Sequence, residues 1–90
     1  MKVLQSGVFA RTVKKLQKKE KAALDRAVKK VMGDPMAGDL KVGDLAGVRV
    51  FKFKVNAQQY LLGYQYSESA VTLTLLALGS HENFYRDLKR

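Results

Sequence analysis

Cysteine is absent from this chain, and histidine occurs once, as His81. Without a thiol there is no disulfide, no thiolate metal site and no sulfur nucleophile. A lone imidazole with no other soft ligand argues against a zinc centre, so neither a metal nor a cofactor is expected. Long apolar runs are missing too. The longest, LLAL at positions 75–78, falls far short of the roughly 20 residues needed to cross a membrane. No apolar stretch follows the first lysine in MKVLQSGVF before the basic run begins, so the start does not read as a signal peptide. A cytoplasmic protein with no membrane partner is expected. Acidic residues are also scarce: eight Asp and Glu against 17 Lys and Arg, for a formal net charge of +9. That imbalance favours a polyanionic partner such as nucleic acid or an acidic protein.

What is present fits one small domain. The chain has 90 residues, 47% of them hydrophobic, enough for a single modest core. It has no internal repeat, low-complexity tail or linker, so residues 1–90 are read as one unit. KVLQ reads as a short first strand. After Ser6, a good helix N-cap, Phe9, Val13 and Leu16 recur at helical spacing. A second helical stripe follows in Leu24, Ala27, Val28, Val31 and Met32, and Gly33, Asp34 and Pro35 end it. This hairpin holds nine of the 17 cationic residues between positions 11 and 30.

Residues 34–47, DPMAGDLKVGDLAG, are rich in Gly and Asp and read as a loop. The pattern then changes to period two. In VRVFKFKV, Phe51, Phe53 and Val55 face one way while Lys52 and Lys54 face the other. Asn56 and Ala57 predict a turn, QQYLLGYQY a second strand, Ser67 to Ser69 another turn, and AVTLTLLAL a third strand. That last strand is apolar on both faces near its end, which places it centrally in the sheet. A short helix is expected from His81 onward. The order β-α-α-β-β-β-α predicts an α+β domain: a small, mainly antiparallel sheet with an N-terminal helical hairpin on one face.

With these elements in place, the loop ending in DLAG, the VFKFKV strand, YLLGYQY and the terminal LGSHENFY together resemble the RelE/ParE superfamily of bacterial toxins, the toxin halves of type II toxin–antitoxin modules. The resemblance covers nearly the whole chain. The GSH after the last strand is most similar to the YafQ-type and HigB-like members, which carry a histidine in that region. For the RelE branch the resemblance implies ribosome-dependent mRNA cleavage. For the ParE branch it implies inhibition of DNA gyrase without nuclease chemistry. In either case it implies neutralisation by a cognate antitoxin that wraps the toxin, with operator DNA contacted only through the antitoxin complex.

RNA cleavage of this kind uses the ribose 2′-OH as nucleophile on the adjacent phosphate and does not require a metal. It needs a proton acceptor, cations for the charge on phosphate oxygens, and an acid for the leaving 5′-oxygen. His81 is the candidate base or acid, because an unperturbed imidazole titrates near ~6.5. Lys52 and Lys54 lie on one strand face about 6.5–7 Å apart, a spacing that can straddle a phosphate; they match the lysine pair of RelE-like nucleases. Tyr85, one helical turn beyond His81, is suited to stacking on a base or donating a proton, and Arg86 to neutralising phosphate. Phe84 is expected to be the core anchor and Tyr85 the exposed ring; Glu82 is a weaker base candidate. In RTVKKLQKKEK, Lys14, Lys15, Lys18 and Lys19 are candidate RNA contacts, as is Arg49; an acidic antitoxin segment covering the hairpin is the other reading of that face. In one place the chain departs from the RelE-type nucleases: Leu61 stands where they commonly carry an arginine.

Overall fold

The computed structural model describes residues 1–88, with the side chains of Glu82, Asp87 and Leu88 left aside. The glutamate named above as a weaker base therefore lies outside the described side chains. In chain order the elements are β1 (Lys2–Gln5), α1 (Gly7–Lys14), α2 (Lys18–Gly33), β2 (Asp39–Leu40), a 3-10 turn (Gly43–Leu45), β3 (Arg49–Val55), β4 (Gln58–Ser67), β5 (Thr72–Gly79) and α3 (His81–Leu88). The strands form one five-stranded sheet in the order β1-β5-β4-β3-β2. Only the β1–β5 pair is parallel; the others are antiparallel. The expected α+β architecture is what the chain adopts.

Local chemistry sets the element boundaries. The Ser6 Oγ accepts from the Phe9 N–H at 3.1 Å and donates to the Leu76 carbonyl at 2.7 Å, so one hydroxyl caps α1 and fastens it to β5. At the start of α2 the Gln17 N–H donates to the Glu20 carboxylate at 2.9 Å, one half of a capping box. The α2 stripe buries Leu24, Ala27 and Val31, but Met32 remains 41% exposed at the last turn.

The sheet has two unequal covers. On one face, Phe9 of α1 and Leu24, Ala27 and Val31 of α2 pack on Leu62, Tyr64, Leu73, Leu75 and Leu78. On the other, α3 lays the fully buried Phe84 over Val50, Leu61 and Ala77, with Val48 beside them. A Cβ on Gly63 would come within 2.7 Å of the Phe84 ring, so glycine is what lets the far edge of that ring approach β4. A bulge beyond Gly63 leaves Leu76 of β5 without a cross-strand partner.

Two expectations need correction. Residues 34–47 are not all loop, because Asp39 and Leu40 pair with Val50 and Arg49 and extend the sheet. The segment is held down from the core: the Tyr64 hydroxyl donates to the Pro35 carbonyl at 2.7 Å and accepts from the Gly38 N–H at 2.8 Å. The Arg49 guanidinium donates to the Gly38 carbonyl at 2.9 Å. Also, β4 and not β5 is the middle strand. β5 is interior, as its apolar character predicts, but β1 and β4 flank it.

Candidate functional site

α3 begins where β5 stops. The Ser80 carbonyl accepts the Phe84 N–H at 2.9 Å, closing the first helical turn directly after the strand. Phe84 is then buried and fixes the helix about its axis. Tyr85 stands edge-on to it, with ring centroids 5.0 Å apart at 87°. His81, exposed at the head of the helix, lies one turn back on the Tyr85 side, 5.0 Å between centroids at 60°. The imidazole is thus braced by a tyrosine that is itself braced by the core. As expected, Phe84 is the anchor, but Tyr85 is half-buried instead of exposed because it leans on that ring.

Lys52 and Lys54 are exposed on β3, and their cross-strand partners are Leu61 and Gln59. Antiparallel partners share a face. Leu61 lies under Phe84, so both lysines project on the sheet face that carries α3. Leu61 also pairs with Gly79, which aligns Lys52 with the end of β5, two strand spacings or about 10 Å away. The register therefore puts Lys52 and Lys54 on the face that carries α3, with Lys52 level with the end of β5 that His81 follows.

Arg86 is set apart. Five residues from His81, at about 100° each, turn it about 140° round the helix axis. Its guanidinium donates to the Asn83 side-chain carbonyl at 2.9 Å. It lines a different cleft, about 360 Å³, with Lys15, Glu20, Tyr60, Ser80 and Asn83 among the walls. Lys14, Lys15, Lys18 and Lys19 are all exposed around the α1–α2 junction; Lys15 joins Arg86, while Lys19 sits by Lys54. Arg49 spends its guanidinium on the carbonyls of the 34–40 segment. Leu61 is 1% exposed, a core residue with no solvent-facing role.

One polar pair here was not anticipated. The Tyr60 hydroxyl donates to the Glu20 carboxylate, tying the first turn of α2 to β4 at the mouth of the Arg86 cleft. That bond, with help from the Gln17 N–H, holds the Glu20 carboxyl below its usual range, and the carboxylate pushes the Tyr60 hydroxyl upward. The only sequence signal was the Gln17-to-Glu20 capping-box spacing; the Tyr60 partner is 40 residues away. Among the described residues no three His, Cys, Asp or Glu side chains gather as a metal site, and no helix is long and apolar enough to cross a membrane.

Comparison with known proteins bears on this arrangement. The family model for the ParE-like toxin of type II bacterial toxin–antitoxin systems matches residues 3–89. The chain belongs to that family. Solved structures agree on the fold. The toxin–antitoxin complex RelBE of E. coli contains a chain with TM-score 0.71 at 18% identity, covering 88% of this chain and 94% of that one. A YoeB/ParE toxin from Agrobacterium tumefaciens gives 0.73 at 17%, covering 90% and 99%. The RelBE2 complex of Mycobacterium tuberculosis gives 0.70 at 22%, covering 89% and 96%. The comparison with curated proteins finds no match. Identities this low establish shared architecture only, so within the ParE-like family the activity has to be argued from the site.

Proposed function

We propose that this ParE-like family member is the toxin of a type II toxin–antitoxin pair and that it cleaves mRNA on the ribosome. The observation that carries this reading is the braced His81–Tyr85 pair at the end of β5, on the sheet face that also presents Lys52 and Lys54. In this scheme His81 removes the proton from a ribose 2′-OH, whose oxygen attacks the adjacent phosphorus. The 5′-oxygen leaves as that bond breaks and takes up a proton, giving a cyclic phosphate and a 5′-hydroxyl. Lys52 and Lys54 face the phosphate oxygens as their charge builds, and Tyr85 stacks on a base. Arg86 with Lys15, on the other flank of α3, contacts the RNA backbone away from the scissile bond. A cognate antitoxin neutralises the toxin and carries any contact with operator DNA; the E. coli RelBE and M. tuberculosis RelBE2 neighbours, both toxin–antitoxin complexes, support that partnership.

One observation favours a second reading. Leu61 is sealed under Phe84, so the position where RelE-type nucleases commonly carry an arginine offers no cation here. A ParE-like toxin that inhibits DNA gyrase needs no such group. Induced expression of the wild type and of His81→Ala separates the two. For the nuclease, growth arrest comes with new mRNA 5′ ends, and both vanish in the variant, a loss of about 10²–10⁴-fold in cleavage. Arrest that persists in the variant with intact mRNA and an induced DNA-damage response assigns the protein to gyrase inhibition.

A further inference from the structure

The cleft on the far flank of α3 combines charges that a plain phosphate site would keep apart. Its rim carries Lys15 and Arg86, both exposed, while Glu20 is the only carboxylate among its described walls. Glu20 is half-buried there and held at both oxygens. Its Oε1 accepts the Gln17 N–H at 2.9 Å and its Oε2 accepts the Tyr60 hydroxyl. The two bonds keep the group ionised at neutral pH, so it acts only as an acceptor. An ionised carboxylate offers about four acceptor positions, so each oxygen retains one.

The rest of the wall is partly apolar. Leu16, the buried Leu78 and the Tyr60 ring line a cavity of about 360 Å³, the size of a small ligand site. The Asn83 side-chain carbonyl is taken by Arg86, so its NH2 group is what it has left to give. A lone phosphate is repelled by Glu20 and has no use for the apolar wall. A cationic side chain is repelled by Lys15 and Arg86. The combination fits a ligand that joins an anionic end to a flat ring with a donor edge.

Nucleotides have that form, and their bases differ in the donors they present. Guanine offers two adjacent N–H donors, at N1 and N2, spaced to meet both oxygens of one carboxylate. Adenine and cytosine place an acceptor nitrogen beside the amino group, and uracil sets its N–H between two carbonyls. Each of those turns a lone pair toward the carboxylate. We propose that this cleft binds one guanine nucleotide, its N1 and N2 edge on the Glu20 carboxylate and its phosphate at Lys15 and Arg86. The Asn83 NH2 group supplies a donor for the guanine O6. A free nucleotide and an unpaired base in RNA present the same edge. The site does not depend on whether the toxin cuts RNA; on the nuclease reading it holds RNA away from the scissile bond by a base as well as by phosphate.

The test uses the full chain and short fluorescein-labelled strands of 2′-O-methyl RNA, which 2′-OH attack cannot cut. Each strand is uridine except for one central guanosine, adenosine or inosine, the last being guanosine without its 2-amino group. Fluorescence anisotropy should show the guanosine strand binding about tenfold tighter than the other two. Glu20→Gln puts an amide donor in place of one acceptor. It should abolish the preference, bind the adenosine strand at least as tightly as the wild type does, and leave circular dichroism unchanged. Lys15→Ala should weaken all three strands alike. Calorimetric titration with 5′-GMP and 5′-AMP separates the sources: a preference among the strands assigns the site to RNA, and a preference for GMP without one assigns it to the free nucleotide. The absence of both preferences overturns the proposal, as does a guanine preference that persists in Glu20→Gln. His81→Ala, which ends cleavage on the nuclease reading, should keep the guanine preference, so the two readings fail separately.

Discussion

The two faces of the sheet are built to different standards. The helical hairpin covers its face with nine buried residues drawn from two helices and two strands, including the fully buried Tyr64. The α3 face has five; Phe84 is the fully buried side chain that connects the helix to the strands below, with half-buried Tyr85 packed beside it. The hairpin face is where the chain derives its fold. The α3 face is thin, carries its polar groups at the surface, and presents the histidine, a tyrosine and two lysines together. The contrast teaches a division of labour: one side stabilises strongly, and the other leaves polar positions exposed, where the chemistry proposed above would sit.

The largest expected effect comes from removing that anchor. Phe84→Ala should cost about 3–5 kcal/mol in denaturant unfolding. It should also abolish toxicity, because α3 is left with little to hold His81 and Tyr85 in place. If the loss is much smaller, α3 is held by more than its one buried ring and the asymmetry of the faces is overstated. On the hairpin face, Tyr64→Phe deletes the hydrogen bonds to Pro35 and Gly38 but keeps the ring, and should cost about 1–3 kcal/mol. Burial raises the Tyr64 hydroxyl above its ordinary 10.0, so the wild type loses stability as pH climbs from 10 through the folded value. Tyr64→Phe should flatten part of that alkaline decline, and toxicity should survive at temperatures where the variant is folded.

The smallest effect concerns the pair that links hairpin and sheet. The Glu20 carboxyl titrates below 4.5, so its contribution is present above that pH and fades as pH falls through the lower folded value. In Glu20→Gln the stability deficit measured near neutrality should shrink as the pH is lowered below 4.5. The pair is solvent-accessible, so the deficit itself should be under about 1 kcal/mol. A deficit that does not change with pH would mean that packing of the side chain, and not its charge, connects α2 to β4.

The hairpin, the alternation in β3 and the anchoring role of Phe84 were legible because each is written in local periodicity. The His81–Tyr85 contact was legible for the same reason, being one helical turn. Other features depend on residues far apart in the chain. β2 escaped notice because two residues among glycines and aspartates carry no period, and pairing with Val50 is what makes them a strand. Arg86 looked like a neighbour of His81 in sequence, yet rotation about α3 sends it to the opposite flank. Arg49 looked like a free cation and turned out to clamp the 34–40 segment, whose carbonyls no pattern could place beside it. Leu61, a suspected gap in a catalytic set, is plain core once Phe84 is seen above it.

The parallel pairing of β1 with β5 has a consequence for how the molecule comes into being. Lys2 lies opposite Thr72, and the Ser6 hydroxyl reaches the Leu76 carbonyl across 70 positions of sequence. The first strand therefore has no lasting partner until β5, some 70 residues later, has been synthesised. Helices α1 and α2 can coil early, but their apolar faces must wait for the strands that cover them. Closure of so long a loop is slow compared with local folding. A nascent chain of this protein thus keeps its sheet open until β5 has been made.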